Sequence, residues 1–395
     1  MAVDVAPGST ALDTVFAFKT GVVPTTDLAE VTVGRKKSVV RCRSALKAAT
    51  EREPVEVDFV EGAYGFGKSH FLDVVRSEAL SRDFAVATIA ANFDSVAMHR
   101  PTLVARAISA SLELPDQPTV GFGRLLRNLV EQPAFVARSV HLYKRWMLPG
   151  FGEVDHTLSV WPSGIYAAAA RPELVEKIAR WLSGEPMPIA PLRKLIREVC
   201  VPPRRMAVNA EALPGLIAGL ARSLQELGYA GLVLLIDEAE NALGPMSTPS
   251  QRSKNARFLH ALSLERAPMY VVLAVTPSVA LSLELDLERE ISPWALDPRK
   301  SLRFVLGRLA PDRRLPLAAL GRTGLHELAV KIVELHGQAF RWNSERRVNE
   351  SILRTCVSSA MERGAPTRAF VKQVVEVLEL CEQHPHVQAN SLVGA

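Results

Sequence analysis

Residues 61–71 combine the residue types that phosphate chemistry needs. The stretch reads EGAYGFGKSHF, and Gly62, Gly67, Lys68 and Ser69 complete a G-x-x-x-x-G-K-[ST] pattern. Glycines let the backbone turn tightly and bring several N–H groups close to a polyphosphate. Lys68 would reach the β- and γ-phosphates, and the Ser69 hydroxyl would ligate Mg²⁺. We therefore predict a nucleoside triphosphate site with these contact residues: Gly62, Ala63, Tyr64, Gly65, Phe66, Gly67, Lys68, Ser69 and His70.

The flanks of this loop predict the strand and the helix that must position it. Residues 55–60 alternate apolar and polar side chains and indicate a β-strand. After the loop, apolar residues recur at helical spacing from Phe71 to Leu80. A helix N-terminus adds unpaired N–H donors and a partial positive charge that face the phosphates. This order favours a true phosphate loop over a glycine-rich turn with a chance Lys-Ser pair.

Two carboxylates follow an unbroken apolar run. Residues 231–238 read GLVLLIDE, which is typical of a parallel strand that is buried on both faces. Ligands of open α/β sheets sit at the carboxyl ends of strands, where Asp237 and Glu238 would emerge. We expect Asp237 to hold Mg²⁺ and Glu238 to orient or deprotonate an attacking water. Many strands end in Asp-Glu, so the pair by itself is weak evidence for a catalytic site. It becomes strong evidence only in combination with the phosphate loop.

Two further predicted strands end in polar residues. Residues 269–275 are apolar and precede Thr276, which is either a sensor of the γ-phosphate or an ordinary strand end. Residues 84–90 lead to Asn92, which would either hold Glu238 in an inactive position or serve as a turn residue.

Alternating strands and helices predict a doubly wound parallel sheet. The 169 positions from Lys68 to Asp237 exceed what a βαβ crossover and its neighbours require. Residues 121–228 contain helical patterns with Pro/Gly-rich breaks, and we interpret them as a helical insertion. The predicted domains are an ATPase core at residues 1–320 and a helical lid at residues 321–395.

Composition and charge indicate a globular protein with a mild basic excess. The 395 residues carry a formal net charge of +5. The start of the chain lacks the layout of a signal peptide and no apolar run is long enough for a membrane span, so we expect a cytoplasmic protein. The four cysteines form no CxxC pair, and the spacing of Cys381, His384 and His386 is a metal pattern that chance explains better.

With these motifs in place, the chain resembles the AAA+ ATPases of the origin-recognition-like branch. More narrowly, it is similar to the ATP-binding proteins of bacterial BREX phage-defence systems, the BrxD type. The resemblance implies an AAA+ P-loop fold with a parallel-sheet core, a helical insertion and a C-terminal helical lid. It also implies ATP and Mg²⁺ as cofactors, and an oligomer or a complex with other defence proteins. The stretches that carry it are residues 21–24 (GVVP), 33–35 (VGR), 62–71, 179–184 (ARWLSG) and 366–371 (PTRAFV).

The resemblance assigns roles to further residues. Gly34 and Arg35 lie where such ATPases pack against adenine, and Arg368 matches a second-sensor arginine that contacts the phosphates. Thr276 stands where the first sensor is often asparagine, and Thr367 separates a Pro-Arg pair that is often adjacent. An arginine finger that acts on a neighbouring subunit is typical of the class, and three residues are candidates for it: Arg299, Arg303 and Arg308.

Basic residues cluster at positions 35–47, 193–205 and 299–314. They would grip DNA if they shared a face, and otherwise they are solvated helix surfaces. We predict an Mg²⁺-dependent ATPase of a phage-defence complex that acts on DNA. The alternative is a scaffold that binds ATP with little turnover and organises partner proteins. A small-molecule kinase lacks a catalytic constellation, and a GTPase would need an Asn-Lys-x-Asp element, which the sequence lacks.

Overall fold

The computed structural model describes residues 9–22, 24, 31–51, 54–92, 96–115, 117, 119–147, 160–185, 187–200, 208–289 and 296–384. Within these ranges, no helix has the length and apolar character that a bilayer crossing requires.

The described residues form a mixed α/β protein that is rich in helix. The strands are β1 (Glu56–Glu61), β2 (Phe84–Ala90), β3 (Leu112–Glu113), β4 (Gly231–Asp237), β5 (Met269–Val275) and β6 (Leu315–Pro316). The helices up to β4 are α1 (Ser9–Thr20), α2 (Lys36–Thr50), α3 (Lys68–Leu80), α4 (Pro101–Ser111), α5 (Phe122–Val130), α6 (Pro133–Met147), α7 (Val160–Ala170), α8 (Val175–Leu182), α9 (Ile189–Arg197) and α10 (Ala212–Glu226). A 3₁₀ turn, Pro172–Leu174, precedes α8.

The remaining helices follow β4. They are α11 (Glu240–Leu243), α12 (Pro249–Leu264), α13 (Ser278–Arg289), α14 (Leu296–Arg308), α15 (Arg322–Phe340), α16 (Ser344–Arg347), α17 (Glu350–Glu362) and α18 (Thr367–Gln383).

The sheet has the order β3-β2-β4-β5-β1-β6. β4 is parallel to β2 on one side and to β5 on the other, with Ala90 opposite Asp237 and Ile236 opposite Leu273. β3 runs antiparallel to β2. The predicted parallel arrangement is therefore confirmed for these three central strands. Their carboxyl ends meet at one edge, which brings the ends of β2, β4 and β5 together.

Continuous apolar runs explain why β4 and β5 lie in the centre of the sheet. Leu232–Ile236 and all of β5 are buried. Burying one Val, Leu or Ile side chain stabilises a fold by roughly 1.5–3 kcal/mol. In a strand that is apolar at every position, side chains on both faces are buried only if other elements cover both faces of the sheet. The predicted strands at 55–60, 84–90, 231–237 and 269–275 are all present, with shifts of one residue for the first.

Two compact units divide the described residues. One unit combines the described parts of Met1–Val40, Glu61–Val75 and Pro316–Ala395, and the other combines Arg41–Val60 with Arg76–Leu315. The first unit has its own core, in which α1 packs against α15 and α18, and α17 packs against the same two helices; buried members include Val15, Ile332 and Phe370. The predicted boundary at residue 320 stays a prediction, since both compact units are discontinuous along the chain.

The core of the second unit joins the sheet to the helices of the predicted insertion. Leu126, Ile165 and Ile178 of these helices belong to the same buried cluster as Leu234 of β4. The described parts of residues 121–228 form α5 to α10 and the 3₁₀ turn, as the helical patterns predict.

Side-chain caps set the starts of several helices. Thr248 and Gln251 form a reciprocal capping box at α12. The apolar spacing of residues 345–363 predicts one amphipathic helix there. This prediction is wrong, because α16 ends at Arg347 and a new helix, α17, begins after Asn349. Its side chain accepts hydrogen bonds from the N–H groups of Ser351 and Ile352 and starts α17 afresh.

Candidate functional site

The glycine loop joins β1 to α3, as its flanks predict. Gly65 and Gly67 have φ angles of +77° and +87°, which L side chains adopt only with strain. A Cβ atom added to Gly65 would lie 2.6 Å from Cβ of Pro366, whereas one added to Gly67 would meet nothing within 4 Å. Gly65 therefore has both a conformational and a steric requirement for glycine, and Gly67 has a conformational one alone.

Lys68 lies inside the loop that precedes it. Its Nζ donates a hydrogen bond to the carbonyl oxygen of Gly62 at 3.1 Å and lies 4.8 Å from the centroid of the Tyr64 ring. The Lys68 side chain is buried, while Tyr64 is 73% exposed. The loop thus surrounds the ammonium group of Lys68 with its own residues.

An N-terminal segment contacts the base of the same loop. Arg35 Nη2 donates to the carbonyl oxygens of Phe66 and Ala318, at 3.0 Å each. Thr32 Oγ1 lies 2.9 Å from His70 Nε2. Gly34, between them, has a φ of +71°. The structure thus brings Gly34 and Arg35 to the loop, and the contacts that Arg35 makes are to backbone carbonyls.

Burial changes the acid–base properties of this segment. Burial, followed by the positive charge of Arg35, lowers the pKa of His70 to about 4. Burial also lowers the pKa of the Arg35 guanidinium. His70 is therefore neutral at neutral pH, so Lys68 and Arg35 supply the side-chain positive charge on this side of the loop.

The C-terminal helix α18 begins against the loop. The backbone N–H of Arg368 donates to the carbonyl oxygen of Gly65 at 3.4 Å. The aliphatic part of the Arg368 side chain lies beside Gly21, where Cδ would be 3.6 Å from an added Cβ atom. The loop, the 31–35 segment and the start of α18 therefore converge within one compact unit.

The acid pair lies at the carboxyl end of β4, in the second unit. The backbone N–H of Glu238 donates to Asp237 Oδ1 at 2.8 Å. Glu238 has a φ of +53°, a left-handed conformation that costs a non-glycine residue about 1–2 kcal/mol. Backbone bonds to both neighbouring strand ends support it, from Ala91 N–H to the Asp237 carbonyl at 2.9 Å and from Ala239 N–H to the Ala274 carbonyl at 3.0 Å.

Asn241 is a site residue that the sequence patterns do not identify. Its Nδ2 donates to the Ala91 carbonyl at 3.0 Å and lies 3.4 Å from Glu238 Oε2. Asn92, the predicted partner of Glu238, accepts a hydrogen bond from Val96 N–H at 3.4 Å. The available signal was an amide three residues after the glutamate, one helical turn along the chain.

The other predicted site residues of the second unit differ in exposure and pairing. Thr276 follows β5, is nearly buried, and has its Oγ1 2.9 Å from Ser278 Oγ. Arg308 forms an ion pair with Glu56 and stacks over Phe304. Arg303 is exposed and Arg299 is half-buried.

The predicted Cys/His pattern and one of the basic clusters lie only partly within the described residues. Cys381 is buried, and His386 and the end of the basic cluster at 193–205 lie outside the described residues. In the described ranges, no three His, Cys, Asp or Glu side chains are grouped as a metal site would require.

The fold and the loop together define the class of the protein. A six-stranded, mostly parallel sheet in a mixed α/β fold, with a phosphate-loop pattern between β1 and α3, is compatible with a P-loop NTPase.

Comparison with known families assigns the chain more narrowly. The model of the family "BREX system ATP-binding protein BrxC/D" matches residues 9–135 and 166–395, so the chain belongs to this family. The resemblance predicted from the motifs is confirmed, and ATP binding in phage defence is the role that the family supports. Neither a curated protein nor a solved structure matches the chain.

Proposed function

We propose that this chain is an Mg²⁺-dependent AAA+ ATPase of a BREX-like phage-defence complex that acts on DNA in the cytoplasm. The observation that carries the proposal is the convergence on one glycine loop of a buried lysine, the 31–35 segment and the start of α18. Such a loop offers N–H donors and positive charge to a polyphosphate.

The proposed binding of ATP follows from the contacts of the loop. Lys68 Nζ donates a hydrogen bond to the neutral carbonyl oxygen of Gly62. In the ATP complex it would donate instead to oxygens of the β- and γ-phosphates, which are charged and therefore stronger acceptors. Ser69 lies in the first turn of α3, where its hydroxyl would ligate Mg²⁺. Arg368 starts α18 beside Gly65 and is proposed to contact the phosphates, and Gly34 and Arg35 to border the adenine.

The proposed hydrolysis needs the residues at the ends of β4 and β5. Bound Mg²⁺ would neutralise charge on the transferred phosphoryl group. In our proposal Asp237 completes the metal shell, Glu238 orients and deprotonates the attacking water, and Thr276 senses the γ-phosphate. Arg303 is the preferred candidate for a finger into a neighbouring subunit, because it is exposed whereas Arg308 is paired with Glu56.

Steady-state ATP hydrolysis by the full chain tests the proposal, with and without duplex and single-stranded DNA. We expect Mg²⁺-dependent turnover that Lys68→Ala and Glu238→Gln abolish, and stimulation by DNA. Wild-type rates of phosphate release in both variants would contradict ATP hydrolysis at this site. Tight ATP binding without turnover under any condition would favour the nucleotide-gated scaffold instead.

A further inference from the structure

The left-handed turn at Glu238 brings the side chain of Asn241 back to the end of the sheet. Residues with positive φ other than glycine are uncommon and occur preferentially at functional sites. Here the turn is followed directly by α11, whose second residue is Asn241. The amide of Asn241 then lies 3.4 Å from Glu238 Oε2.

Asn241 is itself held from two sides. Its Nδ2 donates to the Ala91 carbonyl at 3.0 Å, which ties it to the residue that follows β2. Its backbone carbonyl accepts a hydrogen bond from Ser247 Oγ at 2.7 Å. The side-chain amide that faces Glu238 is therefore tied to the residue after β2, and the backbone that carries it is tied to the loop before α12.

A buried ion pair fixes that loop in turn. Arg252 donates to both carboxylate oxygens of Asp286, at 2.5 and 2.7 Å, and both side chains are buried. The same guanidinium donates through Nη1 to the carbonyls of Gly244, at 3.1 Å, and Ser247. A continuous series of contacts thus runs from Asp286 on α13 through Arg252, Ser247 and Asn241 to Glu238.

We propose that Asn241 is a positioning residue for the carboxylate of Glu238. The amide holds Oε2 by a charge-assisted hydrogen bond and leaves Oε1 to accept a proton from the attacking water. This inference rests on the proposed function of Glu238 in ATP hydrolysis. It predicts an effect on the rate of turnover without an effect on nucleotide affinity, because Asn241 contacts Glu238, Ala91 and Ser247, and none of these residues is proposed to bind the nucleotide.

The test compares kcat, KM and the ATP dissociation constant for four full-length proteins. They are the wild type, Asn241→Ala, Asn241→Asp and Asn128→Ala. We expect Asn241→Ala to lower kcat about tenfold, which corresponds to about 1.4 kcal/mol, with KM and ATP affinity within about twofold of wild type. Asn241→Asp keeps the shape of the side chain but places a like charge beside Glu238, so kcat falls further.

Asn128→Ala is the matched control. Asn128 also donates through Nδ2 at the surface of the second unit, to Thr119 Oγ1 at 3.2 Å, and has no proposed catalytic role. Its kcat stays at the wild-type value. Thermal unfolding of each variant verifies that the protein is folded, and Asn241→Asp keeps the test decisive if Asn241→Ala does not fold.

The inference is overturned if the folded Asn241 variants keep kcat within twofold of wild type, exceed it, or lose ATP affinity instead. Glu238→Gln separates this outcome from failure of the proposed function. If Glu238→Gln hydrolyses ATP normally, the proposed function itself is wrong. If Glu238→Gln is inactive while the Asn241 variants are fully active, the positioning role alone is wrong. If Glu238→Gln keeps measurable turnover, the addition of Asn241→Ala lowers it no further when Asn241 acts through the carboxylate.

Discussion

Lys68 Nζ donates its hydrogen bond to the carbonyl oxygen of Gly62, the first residue of the loop that Lys68 ends. The side chain of Lys68 folds back across six positions of the sequence, and Tyr64 covers it from the solvent side. A buried ammonium group that donates to a neutral carbonyl oxygen would form a stronger, charge-assisted hydrogen bond with a phosphate oxygen. We therefore expect the loop to bind an anion through Lys68.

Replacement of Lys68 by alanine should weaken ATP binding by at least about tenfold, because one hydrogen bond to a charged group contributes about 1.5–3 kcal/mol. Isothermal titration of ATP onto the full chain measures this. Lys177→Ala, at an exposed position of α8, is the control and keeps wild-type affinity. Equal affinities in the two variants would show that the nucleotide does not use Lys68.

Replacement of Gly65 by alanine should destabilise the protein by about 1–3 kcal/mol. The φ of +77° is strained for alanine, and the new Cβ would meet Pro366 at 2.6 Å. Gly307→Ala is a matched control, since Gly307 lies in α14 with nothing within 4 Å of an added Cβ. That variant should be neutral or more stable by up to about 1 kcal/mol. Chemical denaturation measures both, and a Gly65→Ala protein as stable as Gly307→Ala would refute the steric argument.

Acid should destabilise the protein partly through His70. Because its pKa is lowered to about 4 in the folded state and the unfolded value is about 6.5, the unfolded state binds the proton first. The contribution of His70 to folding stability is therefore constant above about pH 6.5 and declines as the pH falls from about 6.5 to about 4. The groups that face His70 are Thr32 at 2.9 Å and the charged Arg35.

Urea denaturation at pH 7 and pH 5 measures this dependence. His70→Gln removes the titrating group, so the decline between the two pH values should be smaller than in wild type. His141→Gln, at an exposed position of α6, is the control and should leave the decline unchanged. A His70→Gln protein with the full wild-type decline would assign the acid sensitivity to other groups; His336, whose pKa burial also lowers to about 4, would be the next residue to replace.

Removal of one partner from the Arg252–Asp286 pair should be strongly destabilising. Both side chains are buried, and Asp286→Ala would leave the guanidinium without its carboxylate, at a cost of about 3–5 kcal/mol. Glu350→Ala removes an exposed carboxylate that pairs with Arg354 and His326, and should lower stability far less, because solvent screens an exposed ion pair. Similar midpoints of thermal unfolding for the two variants would contradict the importance of burial.

Local patterns in the sequence were sufficient for four of the six described strands, for the positions of the glycine loop and the acid pair, and for the family; the two-residue strands β3 and β6 carry no such pattern. An unbroken apolar run such as residues 232–236 is stable only inside a sheet, and the glycine–lysine–serine order has few uses other than phosphate binding. These features depend on neighbours in the chain, so the sequence reports them directly. The capping signal of Asn349 is also local, but the apolar helical spacing of residues 345–363 runs across it and favours one continuous helix.

Only the tertiary structure decided which distant residues meet these motifs. Arg35 reaches Phe66 and Ala318, and Pro366 closes on Gly65, because separate segments of the chain fold into one compact unit. Asn241 is near Glu238 in the sequence, yet its bond to the Ala91 carbonyl requires β2 and β4 to be neighbours in the sheet. Such contacts depend on how the whole chain folds. The burial of apolar side chains determines how the helices and strands pack, and this packing then positions the polar side chains. Periodicity along the sequence carries no information about them.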